Sequence, residues 1–386
     1  MTSAGPADGP AALRAGAPRR VLVAMSGGVD SSVAAALLAQ AGYDVAGATM
    51  RLGDEEMDRA AEGGCCSLEA VEDARRVCYR IGVPFHVLDF RASFREHVVE
   101  PFLDAYLRGE TPNPCIACNR FVKFEAFLAK ARLLSYDAVA TGHYARVEED
   151  PAAAGRFRLL RGLDPRKDQS YALYMLGQDV LAHLVLPVGG LEKAETRRIA
   201  AGLGLAVSDK PDSQEICFVP DGDHAGFIAA RRPGAGRPGR FVDRSGRSLG
   251  THDGVHRFTV GQRKGLGRAF GQRTYVVRLD AATGDVVLGT DEDLWSSVAT
   301  VRDVRFTREE YRREAVEAVE SGLPVDVQVR YGAKPTSARL RLSADGTARF
   351  ASDRPVRAVT PGQAAVFYRG EEVLGGGTIA PESRPE

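Results

Sequence analysis

The chain has 386 residues, 44% of them hydrophobic and 26% charged, with 51 basic side chains balanced by 51 acidic ones. That is the composition of a soluble protein of two or three domains with enough apolar material for a real core. No apolar run approaches the roughly 18 residues of a membrane span and no apolar leader opens the chain, so a membrane or secreted protein is not expected; six cysteines in such a chain point to a reducing cytoplasm, where thiols are structural, catalytic or metal-binding.

Residues 1–19 are mostly Ala, Gly and Pro, which cannot bury enough surface to offset ordering, and a disordered tail is expected there. The chain is organised around VLVAMSGGVDSSVAAA, residues 21–36, where a short apolar run breaks into a glycine turn and then an alanine-rich amphipathic segment. A strand, a tight loop and a helix start are expected. Gly27 and Gly28 let a ligand approach the backbone, Ser26, Ser31 and Ser32 offer hydroxyls, and the N–H groups of the helix opening near Asp30 point at whatever sits there. Such a corner binds anions, phosphates above all. The string lacks the G-K-[ST] ending of a Walker loop and the third glycine of a dinucleotide fingerprint, so neither an ordinary NTPase nor an NAD enzyme is indicated. It resembles the pyrophosphate loop of ATP pyrophosphatases, which implies activation of an oxygen as its AMP ester.

A second strand is read over Asp44–Met50, then a Gly-rich loop with Cys65 and Cys66, a helix from Ser67 to about Ile81, and a third strand over Phe85–Phe90. Phe94, Val98, Phe102 and Tyr106 follow a helix period that Pro101 should kink. A further helix, Arg120–Leu134, precedes the apolar run Asp137–Thr141. Strand and helix in alternation predict an α/β fold with a doubly wound parallel sheet, whose ligands sit at the carboxyl ends of the strands. The Ser26 loop, Met50, and Gly142 with His143 all fall at such ends. Beyond Val219 the helical pattern stops, and Gly222–Tyr275 carries 11 Lys or Arg against three acids, a basic excess that suits a polyanion. From Tyr275 short alternating runs (TYVVRLD, DVVLGT, VDVQVRY, ARLRLS, AAVFY) separated by turn strings predict an antiparallel sandwich or barrel. The expected domains are an ATP-binding domain over 20–218, a small central domain over 219–275 and a C-terminal β-barrel over 276–386.

Three cysteines lie in unusual settings. Cys115 and Cys118 form a C-x-x-C inside TPNPCIACNR, where two prolines stiffen a loop before a helix whose N-terminal dipole would favour a thiolate. Cys217 follows about 100 residues later in PDSQEICFVP. Taken alone, the C-x-x-C reads equally as a redox pair, half of a metal site or two buried small residues. A four-thiolate zinc site is not expected without a second C-x-x-C, and Cys65, Cys66 and Cys78 read as packing or incidental thiols.

SGGVDSS, TPNPxxxxCN, ATGHYAR, KDQSY, the Cys217 segment, GQRKGLG and TPGQAAVFY occur in the order found in tRNA-specific 2-thiouridylases, and together they span residues 20 to about 380. The resemblance implies a pyrophosphate-loop domain, a small central domain and a β-barrel gripping tRNA. It implies that ATP, with Mg2+, adenylates the oxygen at carbon 2 of the wobble uridine in tRNAs for lysine, glutamate and glutamine, and that sulfur then displaces AMP. On this resemblance Ala24, Met25, Ser26, Gly27, Gly28, Val29, Asp30 and Ser31, with Met50 and Gly142, form the ATP site. Cys118 is similar to the family's nucleophile and Cys217 to the cysteine that carries the persulfide. Asn113, Pro114 and Cys115 match the segment that receives the target base; Lys167, Asp168 and Gln169 match a tRNA-contacting stretch; His143, Arg330, Tyr331 and Gln363 match further tRNA contacts. The implied partners are tRNA and a persulfide donor protein, with no membrane, and the chain is expected to act as a monomer.

One position departs from the resemblance. Relatives often carry an aspartate, a general-base candidate, where this chain has Cys115. A thiol is a poor substitute, so proton removal would fall to another residue, to Cys115 as thiolate or to pyrophosphate. The substitution also gathers three thiols, Cys115, Cys118 and Cys217, and three cysteines with an open fourth position suit an iron–sulfur cluster carrying extra sulfide. Persulfide relay is the reading preferred, because Cys118 and Cys217 match the family pair. The rivals are an amidating synthetase built on the same loop, whose chemistry needs no protein thiol, and a nucleotide- or RNA-binding module without turnover.

Overall fold

The computed structural model describes residues 20–53, 68–208, 210, 216–219, 222–234, 236–267 and 270–381. The expectations for the tail at 1–19 and for Cys65 and Cys66 lie outside these residues. The chain divides into two compact units: one holds the described residues up to His97 and those from Ala117 to Val219, the other holds Val98–Ile116 and the described residues from Gly222 onward.

In the first unit β1 (Arg20–Ala24), β2 (Asp44–Arg51), β3 (Phe85–Asp89), β4 (Ala138–Ala140), the hairpin β5 (Ala145–Glu149) with β6 (Phe157–Arg161), and β7 (Leu184–Val185) follow in chain order. The parallel sheet has the order β3-β2-β1-β4-β7. Strand order reverses across β1, with β2 on one side and β4 on the other, and the crevice outside their carboxyl ends is where an open α/β sheet places its ligand. The expected doubly wound sheet is present. The helix Val29–Gln40 is not amphipathic as its alanines suggested: Val33, Ala34, Ala35, Ala36 and Leu38 are all buried. A helix apolar on every side belongs in a core, and its small side chains let it pack among Val21, Val23, Val45, Val77, Val188 and Leu205. Cys78 lies in the same core, where burial pushes its thiol up to about 11, as befits a packing cysteine.

Two helices differ from expectation. The run from Arg91 to Leu107 is helical throughout, but widens to a π-helix over Arg95–Val99. Pro101 lies just beyond; it cannot donate to the carbonyl four residues back, and the wider turn absorbs the missing bond. The helix expected from Arg120 begins instead at Pro114 and continues through a π-helical stretch, Cys118–Ala126, to Leu133. The C-x-x-C is therefore helical and does not lie in the loop before the helix.

In the second unit a helix at His224–Arg231, absent from the sequence expectation, is capped by Asp223 accepting from the Gly226 N–H at 2.9 Å. Strands β8 (Gly239–Val242), β9 (Ser248–His252), β10 (Tyr275–Asp280) and β11 (Asp285–Gly289) form one sheet in the order β10-β11-β8-β9 around Phe241, Val255, Phe258, Val276 and Val286. β10 and β11, expected in the barrel, thus pair with the central segment. The barrel comprises β12 (Trp295–Phe306), β13 (Leu323–Gln328), β14 (Thr336–Leu342), β15 (Ala348–Arg357), β16 (Ala364–Arg369) and β17 (Glu372–Ile379). All its pairings are antiparallel, and β12 pairs with both β15 and β17, which closes it. Closure leaves no sheet edge open, and Val301, Val325, Leu340, Phe350, Phe367 and Ile379 fill the interior. Among the described residues no helix is long and apolar enough to cross a membrane.

Candidate active site and nucleic-acid interface

At the end of β1 the backbone turns through Met25, whose N–H donates to Ala48 O at 2.8 Å and whose carbonyl accepts from Thr49 Oγ1 at 3.0 Å. Both bonds fasten the loop to β2. Inside it the Ser31 hydroxyl donates to Gly28 O (3.2 Å) and accepts from the Ser26 N–H (3.2 Å), while Ser32 Oγ donates to the same Gly28 carbonyl at 2.8 Å. The serines therefore shape the loop from within. Gly27 has φ +69°, and a Cβ there would come within 2.4 Å of Ala70 O, so the fold itself demands glycine. Gly28 is different. Its backbone is extended (φ −96°, ψ 166°), and a Cβ would meet only Ser26 Oγ, at 3.5 Å. The space in front of Gly28 is open, and the first N–H groups of the Val29–Gln40 helix border it, as an anion site requires.

Gly142, just past β4, packs directly on this helix start: a Cβ would lie 2.5 Å from Ser31 N and 2.6 Å from Asp30 C. The structure thus brings Ser26–Ser31 and Gly142 together at the reversal of strand order, and Met50, buried, sits at the carboxyl end of the neighbouring β2. Asp30 does not stand alone. Lys193 Nζ lies 2.7 and 2.8 Å from its two carboxylate oxygens, and the Tyr144 hydroxyl donates to Oδ1 at 2.9 Å while lying 2.9 Å from Thr196 Oγ1. The carboxylate is committed to this network, which fixes its orientation. Sequence reasoning missed Lys193, Tyr144 and Thr196; Tyr144 lay inside the quoted ATGHYAR, but nothing local marks a lysine 163 residues from its partner.

His143 accompanies Gly142 with Nδ1 2.7 Å from Thr141 Oγ1 and its ring tilted on Phe124 at 5.7 Å. Burial, reinforced by the nearby Lys123 ammonium, holds its imidazole down at about 3. It is a neutral hydrogen-bonding group, not a cation for phosphate. In the stretch Lys167–Gln169, Asp168 accepts from Arg161 Nη1 (2.8 Å), the Gly162 N–H (3.1 Å) and the Ser170 N–H (3.0 Å). Gln169 Oε1 accepts from the Tyr144 N–H at 2.9 Å. Those two side chains shape the turn, and the half-buried Lys167 is tied to it by its N–H, which donates to Asp164 O at 3.0 Å.

All four described cysteines are thiols. Cys118 is buried and opens the π-helical stretch, a distortion that recurs at functional sites. Cys217 is half-buried in a short turn closed by Val219 N–H to Ile216 O at 3.0 Å and anchored by Phe218 edge-on to Phe94 at 5.5 Å. In the second unit Asn113 caps the helix that begins at Pro114: its Oδ1 accepts from the N–H of the exposed Cys115 at 3.1 Å. Among the described residues no three His, Cys, Asp or Glu side chains are grouped to hold a metal ion, so the cluster reading gains no support.

The basic excess of the central segment is partly spent on the fold. Arg232, Arg240, Arg244 and Arg247 pair with Glu100, Asp285, Asp293 and Asp243. Arg237, Arg257, Arg263, Lys264 and Arg273 are exposed and have no carboxylate partner among the described residues. Arg263 and Arg273 line a concavity of about 550 Å³ with Leu266, Phe270, Gln272 and Thr274, a pairing of cation and aromatic that suits nucleic acid. Arg330 and Tyr331 are exposed after β13, whereas the Gln363 side chain is turned to the backbone of Thr111.

Residues 19–221 match the family described as the tRNA methyl transferase HUP domain, 225–290 its PRC-barrel domain and 298–379 the aminomethyltransferase β-barrel domain. The chain is 51% identical to the tRNA-specific 2-thiouridylase MnmA of Heliobacterium modesticaldum, over 93% of this chain and 92% of that protein. It is 48% identical to the protein of the same name from Carboxydothermus hydrogenoformans (94% and 97% covered) and 47% identical to that from Clostridioides difficile (94% and 98%).

Proposed function

The chain belongs to the tRNA-specific 2-thiouridylase family, and on that basis we propose that it is an ATP-dependent tRNA-uridine 2-sulfurtransferase. ATP, entering with Mg2+ held largely by its own phosphates and water, lies with its phosphates against Ser26–Ser31. The uridine oxygen at carbon 2 attacks the α-phosphate, pyrophosphate leaves, and the helix N–H groups stabilise the charge that develops. Cys217 carries a persulfide delivered by a donor protein. Its terminal sulfur attacks carbon 2 and AMP departs, leaving a Cys217–S–S–uridine link. The Cys118 thiolate then attacks the Cys217 sulfur, which forms a Cys118–Cys217 disulfide and frees 2-thiouridine; an external thiol reductant restores both cysteines. Cys115, in place of an aspartate, gives no carboxylate base, and pyrophosphate takes the uridine proton.

The observation that carries this reading is the open space before Gly28, at the reversal of strand order and bordered by helix N–H groups, in a unit that also holds Cys118 and Cys217. A persulfide relay needs two cysteines and no metal. Incubation with unmodified tRNA, ATP, a persulfide donor protein and a thiol reductant tests it. AMP, pyrophosphate and 2-thiouridine should form in equal amounts, and ATP consumption without thiolated nucleoside would refute it.

A further inference from the structure

The chain between the Glu100–Leu107 helix and Asn113 is bound to the barrel through Glu110 and Thr111. The Thr111 N–H donates to Pro361 O at 2.8 Å, and Gln363 Nε2 donates to Thr111 O at 2.8 Å. Both polar groups of a single residue are thus taken by the loop before β16. Gly362, between those two partners, has φ +90°, and a Cβ there would lie 2.8 Å from Thr111 N and 2.9 Å from Thr111 C, so only glycine permits the approach. The Thr111 hydroxyl also lies 3.3 Å from Thr259 Oγ1. Next to it Glu110 is 5% exposed, and Arg302 Nη2 of β12 donates to its Oε2 at 2.8 Å. Two residues on, Asn113 caps the helix that contains Cys115.

We propose that Gln363 and Arg302 are positioning residues for the stretch that receives the target base. They clamp Glu110–Thr111 so that Asn113, Pro114 and Cys115 are set by the tRNA-binding barrel and not by the ATP-binding unit. The inference rests on the thiouridylase reading. It assigns to Gln363 a contact with Thr111 where the resemblance gave it a contact with tRNA. A residue with both backbone groups held, 252 residues away in sequence, cannot shift without breaking the ties. Removal of one tie therefore acts on how often the base is presented correctly. It leaves the basic surface that carries affinity unchanged.

The test compares wild type with Gln363→Ala and with Gln363→Glu, which keeps the shape and lacks the donor. The readouts are tRNA affinity by filter binding and the single-turnover rate of 2-thiouridine formation at saturating ATP and tRNA. One neutral hydrogen bond corresponds to about a fivefold loss of rate, expected in both variants, with tRNA affinity within about twofold for Gln363→Ala. Arg302→Met leaves the buried Glu110 with only the longer contact to Arg108 Nη2 at 3.4 Å and should slow the same step more; adding Glu110→Gln should recover part of the rate, which a merely local packing defect would not do. A Gln363→Ala protein that loses tRNA affinity, or keeps the wild-type single-turnover rate, overturns the inference, as does a double variant slower than Arg302→Met alone. An inactive wild type overturns the thiouridylase reading, and the inference with it.

Discussion

Replacing Lys193 with Met should destabilise the ATP-binding unit through one interaction whose size follows from its geometry. The ammonium sits 2.7 and 2.8 Å from both oxygens of Asp30, and its side chain is 10% exposed against 29% for Asp30. Breaking a fully buried ion pair costs about 3–5 kcal/mol, because a charge is left buried and unpaired, whereas an exposed pair contributes about 0.2–1 kcal/mol. Asp30 keeps the Tyr144 hydroxyl as donor and some access to water. The expected loss is therefore about 2 kcal/mol, between those limits, which in a unit of this size lowers Tm by about 4–8 °C. Asp30→Asn with Lys193→Met removes both charges together, so the double variant should regain most of the loss, with a coupling of about 2 kcal/mol in the cycle. Thermal melting of the four proteins, followed by circular dichroism with and without ATP, measures both quantities. Additive single-variant effects would refute the argument that the pair is one unit.

Gly28→Val should leave Tm within about 1 °C, because the site is open and its backbone suits any residue, while ATP affinity falls at least about tenfold; isothermal titration checks it, and unchanged affinity would remove the corner as the phosphate site. Gly27→Ala should instead destabilise, given its φ of +69° and the Ala70 carbonyl 2.4 Å from the added Cβ. Affinity for tRNA should fall with salt by about 0.7–0.9 log units per log unit for each phosphate neutralised, and reversing Arg263 and Lys264 to Glu should flatten that slope; an unaltered slope would place the contacts elsewhere. Burial holds His143 at about 3 and lowers His224, His252 and His256. The unfolded chain takes up those protons near pH 6.5 while the folded one does not, so stability present above that pH is lost as pH falls toward 3. Tm should decline on acidification below about pH 6.5, less steeply in His143→Gln; a rise in Tm on acidification would contradict the assignment.

The parallel sheet was legible because each strand is a short apolar run followed by a helix-period segment, and the pyrophosphate corner because its glycines and serines act within one turn. What the sequence hides is either long-range or against propensity. Lys193 and Asp30 are 163 residues apart, and Gln363 and Thr111 are 252 apart; no local pattern encodes such pairs. Pro114 reads as loop chemistry in TPNP, yet a proline at the first helical position with an Asn cap before it starts a helix as readily as it ends one. The basic segment overstated its free charge because Glu100, Asp285 and Asp293, which neutralise three of its arginines, lie outside it. The expected barrel start at residue 276 placed β10 with β12, since alternation marks a strand but not its partner.

The central claim is that sulfur reaches uridine through Cys217 and that Cys118 frees the product by forming a disulfide with Cys217. Purified wild type and the single variants Cys115→Ser, Cys118→Ser and Cys217→Ser, prepared without oxygen and assayed side by side for iron content and 2-thiouridine by nucleoside mass spectrometry, test it most directly. The account predicts an active, iron-free wild type, loss of 2-thiouridine in Cys118→Ser and Cys217→Ser, and substantial activity in Cys115→Ser. Iron that tracks activity and is lost in all three variants would contradict it.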